Sequence, residues 1–207
     1  MMIKIIVDAL MLFALIFEFS KIYSGSLLHE IFGVTLLVLM ITHLFLNRSY
    51  IKNIFKCKYN ISNLVLLIVN IFVFLSIIVS ITCGILISEV LFKNFSKYNI
   101  NISRIHIISS YLAIMMVSLH LGFNLKTIIG KIKLFNNKFI YIPLQLIIVC
   151  LGIYSLIKTK YFSYLFGLNY FFSKDSNIYV NLFLYWSISM FFVIIMYNIN
   201  NVFFKNK

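Results

Sequence analysis

A chain of 207 residues with 62% hydrophobic content and mean hydropathy +1.02 is not a soluble globular domain, because apolar runs long enough to cross a bilayer recur along most of its length. The net charge of +13 would suit nucleic acid in a soluble protein. Here the lysines fall in the short segments between apolar runs, so the excess is read as topology charge and no nucleic-acid partner is expected.

Residues 1–20 carry Lys4 and then an apolar run interrupted by Asp8 and Glu18. Acids inside the run argue against a cleaved leader, so this segment is taken as a retained first span. The second span is Leu27–Arg48, LLHEIFGVTLLVLMITHLFLNR, and a basic connection with Arg48, Lys52, Lys56 and Lys58 follows. A third span is expected over 61–90, a connection over 91–102, and a fourth span over 103–125, SRIHIISSYLAIMMVSLHLGFNL. After another basic connection, a fifth span runs from about Phe139 to Ile157 with Pro143 in its first turn, where a missing N–H costs little. The aromatic segment 158–177 is expected to lie on the membrane surface, and a sixth span over 178–197 closes the chain. The fold expected is therefore one all-α domain, residues 1–207, a polytopic bundle of about six membrane helices.

Eleven of the eighteen Lys and Arg belong to the N-terminus and the connections after spans two, four and six. That bias predicts a multi-pass protein of the cytoplasmic membrane with both termini on the cytoplasmic side.

The four histidines are the chemical signal. His29 and His43 lie fourteen residues apart in the second span, and His106 and His120 fourteen apart in the fourth. Fourteen residues at about 100° each fall about 40° short of four full turns, so both imidazoles of a span share one face, separated by about 21 Å along the axis. One crossing separates the two spans, so they run parallel, and His29 comes level with His106 and His43 with His120. A lone histidine in an apolar helix is ordinarily a packing residue or a polar contact to a neighbour. Four ionisable side chains confined to two spans at one shared spacing mark a function. Each level can supply the two axial nitrogens of a haem iron, giving two non-covalent b-type haems, His29 with His106 and His43 with His120. Cys57, Cys83 and Cys150 form no Cys-x-x-Cys-His, so covalent attachment is excluded, and they are read as small buried apolar side chains.

Small residues on the histidine faces agree with a flat macrocycle lying there: Gly33 at +4 from His29, and Ser109, Ser110 and Ala113 at +3, +4 and +7 from His106. The only arginines, Arg48 and Arg104, sit near ends of the histidine spans, where they are expected to pair with haem propionates; ordinary topology charge is the alternative. Glu30 follows His29, but HEIFG lacks the second histidine of a zinc-protease motif. Asp8 is placed to orient a ligand histidine, to relay protons, or simply to contact water near a helix end.

Three stretches, LLHEIFGVTLLVLMITHLFLNR, ITCGILIS (residues 81–88) and RIHIISSYLAIMMVSLHLGFN, resemble the flavinylation-associated cytochromes, a family long catalogued as a domain of unknown function. The likeness extends more loosely through IVDALM and the aromatic connection. It implies a membrane b-type cytochrome working with an extracytoplasmic protein that carries covalent FMN, with His29, His43, His106 and His120 at the positions of the haem ligands. No flavin-attachment or nucleotide-binding motif is present, so the flavin belongs to a separate protein and the chain is an electron-transfer subunit, not a self-contained enzyme. Quinol or a cytoplasmic reductase are the candidate donors. The competing readings are a non-haem metal or ion transporter using the histidines as transient ligands, and a haem-bearing anchor subunit for a redox enzyme.

Overall fold

A computed structural model describes residues 2–54, 60–97, 99–129, 138–169 and 177–203. Among the described residues the fold is all-helical, with no strand: α1 (Met2–Glu18), α2 (Lys21–Ser24), α3 (Ser26–Leu46), α4 (Arg48–Asn53), α5 (Ile61–Leu86), α6 (Ile100–Ile129), α7 (Lys138–Lys158), α8 (Tyr161–Leu165) and α9 (Ile178–Phe203). Five of these, α3, α5, α6, α7 and α9, are long and apolar enough to cross a membrane. A bilayer offers the backbone no hydrogen bonds, so an apolar chain of this kind must satisfy them inside helices. The segment expected as a first span is α1, which at 17 residues is the shortest of the long helices.

Local chemistry sets the boundaries. Asparagine side chains cap three spans: Asn60 Oδ1 accepts from Asn63 N at 2.8 Å, Asn99 Oδ1 from Asn101 N at 2.8 Å, and Asn177 Oδ1 from Val180 N at 2.9 Å. Gly25, at φ 83°, supplies the left-handed turn between α2 and α3 that an L side chain resists. The third span ends at Leu86, four residues before the expected limit, where residues 88–91 turn to meet Glu30. α7 begins at Lys138, one residue before the expected start, so Pro143 falls just past the first turn and the carbonyl of Phe139 lacks its usual donor.

Antiparallel hairpins organise the packing: α1 lies on α3, and α5 on α6. α9 then supports α6 on one side and α7 on the other. Small residues let these helices approach closely. A Cβ added at Gly122 of α6 would stand 2.5 Å from the Val193 carbonyl of α9, and one at Gly152 of α7 would run into Phe191. Ser118 and Ser189 hydroxyls, both fully buried, bond across the α6–α9 contact at 2.8 Å.

Two expectations change. Within the aromatic segment, Tyr161 and Tyr164 are buried, packed with Tyr111 and Tyr185, and Tyr161 Oη donates to the Tyr111 carbonyl at 2.6 Å. Only Phe162 and Phe166 of α8 and its turn face outward; Tyr170, Phe171 and Phe172 lie outside the described residues. A phenol hydroxyl that finds a buried acceptor is more stable inside than its polarity suggests. Cys150 is exposed on α7 and Cys83 half-buried, so the cysteines are not uniformly interior; Cys57 lies outside the described residues.

Candidate functional site

The four histidines stand in two levels between α3 and α6, and each hairpin supplies its own ligand support. At the level of the α3 N-terminus, the His29 and His106 rings lie 6.0 Å apart between centroids and nearly perpendicular, at 85°. At the other level stand His43, held by Asp8, and His120, held by Asn70. α3 meets α6 through a shared apolar cluster that includes Leu36 and Met40 on one side and Ile107 and Ala113 on the other.

In every case the Nδ1 nitrogen is occupied by an oxygen of the neighbouring helix. His29 Nδ1 lies 2.5 Å from Glu18 Oε2 and 3.2 Å from the Glu18 carbonyl. His43 Nδ1 lies 2.6 Å from Asp8 Oδ1. His106 Nδ1 lies 2.8 Å from the Ser80 carbonyl, and His120 Nδ1 2.6 Å from Asn70 Oδ1. All four acceptors call for a proton on Nδ1; in a neutral imidazole the lone pair then sits on Nε2, which in His43 and His120 has an asparagine Nδ2 3.3 Å away.

These contacts expose an internal repeat. Asp8 and Glu18 are ten residues apart on α1, and Asn70 and Ser80 ten apart on α5. Each helix precedes a histidine helix whose own pair is spaced by fourteen. Each inner histidine is also followed at +4 by an asparagine, Asn47 or Asn124. Their Nδ2 groups both donate to the carbonyl of that histidine at 3.0 Å and both lie 3.3 Å from its Nε2. The His-x-x-x-Asn repetition, HLFLN and HLGFN, was readable in the sequence. The matched decapeptide spacing of the acceptors carries no signal until the hairpins are seen to pair.

For His29 and His106 the ring separation is that of two imidazoles sharing a metal. A metal–nitrogen bond of about 2.0 Å on each side, plus about 1.1 Å from nitrogen to ring centre, requires about 6.2 Å between centroids. The outer pair stands at 6.0 Å. Among the described residues no group of three or more His, Cys, Asp or Glu is arranged around one point. A macrocycle that brings four nitrogens of its own needs no more than two ligands from the protein.

The remaining expected residues divide. Gly33 lies beside Glu18, where a Cβ would come within 3.7 Å of Oε1. Ser110 donates to the His106 carbonyl at 2.7 Å and bonds Ser80 Oγ at 2.6 Å, so it braces the α5–α6 contact next to the imidazole. Ser109 donates to the same carbonyl at 3.0 Å and is buried. Ala113 is buried with Leu36 and Met40 in an apolar layer between the two histidine levels. Arg48 stacks its guanidinium over Phe45, 4.9 Å from the ring centre. Arg104 has its Nε against Gly167, beside Ile108, and at about 100° per residue it sits about 200° around α6 from His106.

Two residues gain roles that the sequence reading did not give them. Gly84 admits the His106 ring, since a Cβ there would stand 3.2 Å from Cε1. Glu30 clasps the α5–α6 connection: its carboxylate accepts from Ser88 Oγ at 2.8 Å and from the backbone N–H groups of Glu89, Val90 and Leu91 at 2.7, 3.1 and 2.6 Å. This ties the start of α3 to the end of α5 at the level of His29 and His106. No protein-family model matches the chain, and neither a curated protein nor a solved structure matches it.

Proposed function

We propose that this protein is a di-haem b-type membrane cytochrome that carries electrons across the bilayer to an extracytoplasmic, flavin-carrying partner. The observation that carries the reading is that all four imidazoles, two on α3 and two on α6, have Nδ1 satisfied by an oxygen of their own hairpin, which in the neutral ring puts the lone pair on Nε2. Bound at each level, haem supplies a one-electron ferric–ferrous couple. The chain's residues do the rest. Asp8, Glu18, Asn70 and the Ser80 carbonyl fix the tautomer and the ring orientation. Gly84 and Gly33 leave room beside the imidazoles, and Leu36, Met40 and Ala113 keep the space between the levels apolar. The Lys and Arg distribution supports a six-span topology, counting α1, with both termini cytoplasmic and the His29–His106 level outside. The flavin partner is supported by the resemblance of the histidine motifs, and the donor is quinol or a cytoplasmic reductase.

The test is a visible spectrum of the purified protein with haem quantified per chain. Sharp reduced bands of low-spin bis-histidine haem at a ratio of two are expected. His43→Ala or His120→Ala should remove one haem, and His29→Ala or His106→Ala the other. Protein without haem, or with one haem insensitive to these substitutions, overturns the reading.

A further inference from the structure

The two hairpins match in spacing but not in the charge of their acceptors. On α1 both histidine partners are carboxylates, Asp8 and Glu18. On α5 both are neutral, the Asn70 amide oxygen and the Ser80 carbonyl. Among the described residues neither α1 carboxylate pairs with a lysine or arginine; the one Lys–carboxylate pair is Lys21 with Glu89. Lys4, one turn before Asp8 on α1, gives its Nζ to Asn47 Oδ1 at 3.0 Å. Glu18 Oε1 is buried without a hydrogen-bond partner, so the imidazole is the main polar contact of that carboxylate.

An imidazole whose N–H points at a carboxylate pushes more electron density onto its other nitrogen than one bonded to an amide oxygen. A more basic axial ligand favours the ferric over the ferrous state. We infer that α1 is the potential-setting helix of this protein, with Asp8 and Glu18 acting as positioning residues that make His43 and His29 the electron-rich ligands of their haems and hold both midpoint potentials down. The inference rests on the di-haem reading and goes beyond it. It assigns the asymmetry of each haem to one helix, and it gives the acids that interrupt the first apolar run a purpose.

The experiment is a redox titration of the purified, haem-loaded protein, resolving both haems, with low-spin ferric EPR of the same samples. Asp8→Asn keeps the acceptor and the size but copies the neutral partner of His120. With the solution poised at the wild-type inner midpoint, it should raise the ferrous-to-ferric ratio of the inner haem about tenfold, which is about 59 mV for one electron. Glu18→Gln should do the same at the outer haem. Asn70→Asp, the mirror change, should lower the inner midpoint. Each should move the g-values of its own haem and leave the other's in place. Glu89→Gln removes a carboxylate at the outer end that touches no imidazole, and both potentials should stay within about twofold in that ratio. Full haem content with unmoved potentials in Asp8→Asn and Glu18→Gln overturns the inference while leaving the di-haem reading intact. Wild-type protein without haem overturns that reading instead. If Asp8→Asn sheds the inner haem, Asn70→Asp decides: a lowered midpoint supports the inference, and an unchanged or raised one overturns it.

Discussion

The hairpins α1–α3 and α5–α6 carry the same histidine spacing on different foundations. In α6, 39% of the most apolar window is buried, and in α9 behind it 44%; in α3 the figure is 11%. α6 is clamped between α5 and α9, whereas α3 leans on α1 and presents Val34, Val38, Ile41 and Phe45 outward. Ligand spacing is thus set inside each hairpin by helix periodicity. The hairpins meet through a shared apolar cluster, in which Leu15, Leu36 and Met40 join Ile77, Ile107 and Ala113, and through polar contacts at one end, the Glu30 clasp and the Lys21–Glu89 pair; the end of α1 is also held to α9, where Asn181 Nδ2 donates to the Phe19 carbonyl at 2.8 Å and Phe19 stacks on Tyr185. α6, backed by α9, is the wall, while α5, at 17%, is nearly as little buried as α3. A cofactor bridging the two hairpins would add its binding energy to their docking.

The strongest way to break the comparison is to overpack the wall. Gly122→Ala puts a methyl 2.5 Å from the Val193 carbonyl and 2.7 Å from Met196 Cβ, atoms that cannot step aside without moving α9. A loss of about 1–3 kcal/mol is expected, read as a lower thermal midpoint in detergent by Trp186 fluorescence. Gly33→Ala, on α3, meets only Glu18 Oε1 at 3.7 Å and should change stability by less than about 0.5 kcal/mol. Equal losses from the two substitutions would mean that α3 is held as firmly as α6.

A smaller effect is expected from loosening the docking itself. Glu30→Ala removes the acceptor for three backbone N–H groups and a hydroxyl at a partly solvated site, at a cost of about 1 kcal/mol. Amide hydrogen exchange at Glu89, Val90 and Leu91 should accelerate about fivefold, while exchange in the α6–α9 contact stays unchanged. Acceleration in both places would show that the hairpins open as one unit.

How much of this was legible follows from where each signal lives. Histidine spacing is a property of one helix, so periodicity alone placed His29 and His43 on one face and His106 and His120 on another. Acceptor identity is a property of two helices in register, which periodicity does not supply. Glu18 served only to argue against a leader, Asp8 kept three readings open, and Asn70 and Ser80 drew no notice inside an apolar run. The hairpins give all four one job, as oxygen partners of imidazole nitrogens. The aromatic connection misled for a related reason. Tyrosine-rich sequence suits a membrane interface, but Tyr161 and Tyr164 find buried partners that only the fold supplies.

The smallest effect concerns the cations at the outer level, where sequence proximity and spatial proximity disagree. Arg104 is two residues from His106 in the chain, yet its Nε lies against Gly167 on the side of α6 that faces α8. Lys21 is far from His106 in sequence, yet it pairs at 3.3 Å with Glu89, in the connection that Glu30 ties to the start of α3 at the level of His29 and His106. A cation near a haem favours the ferrous state, because reduction adds negative charge to the site. Removing one therefore lowers the midpoint, in the opposite sense to removing Glu18. Since Lys21 is about two-fifths exposed, screening limits its effect to about threefold in the ferrous-to-ferric ratio. Lys21→Gln should lower the outer midpoint by that amount, Arg104→Gln by less, and neither should move the inner haem. A titration in which Arg104→Gln produces the larger drop would reverse the order. It would mean that the guanidinium turns away from Gly167 to hold a propionate, as its place in the sequence suggests.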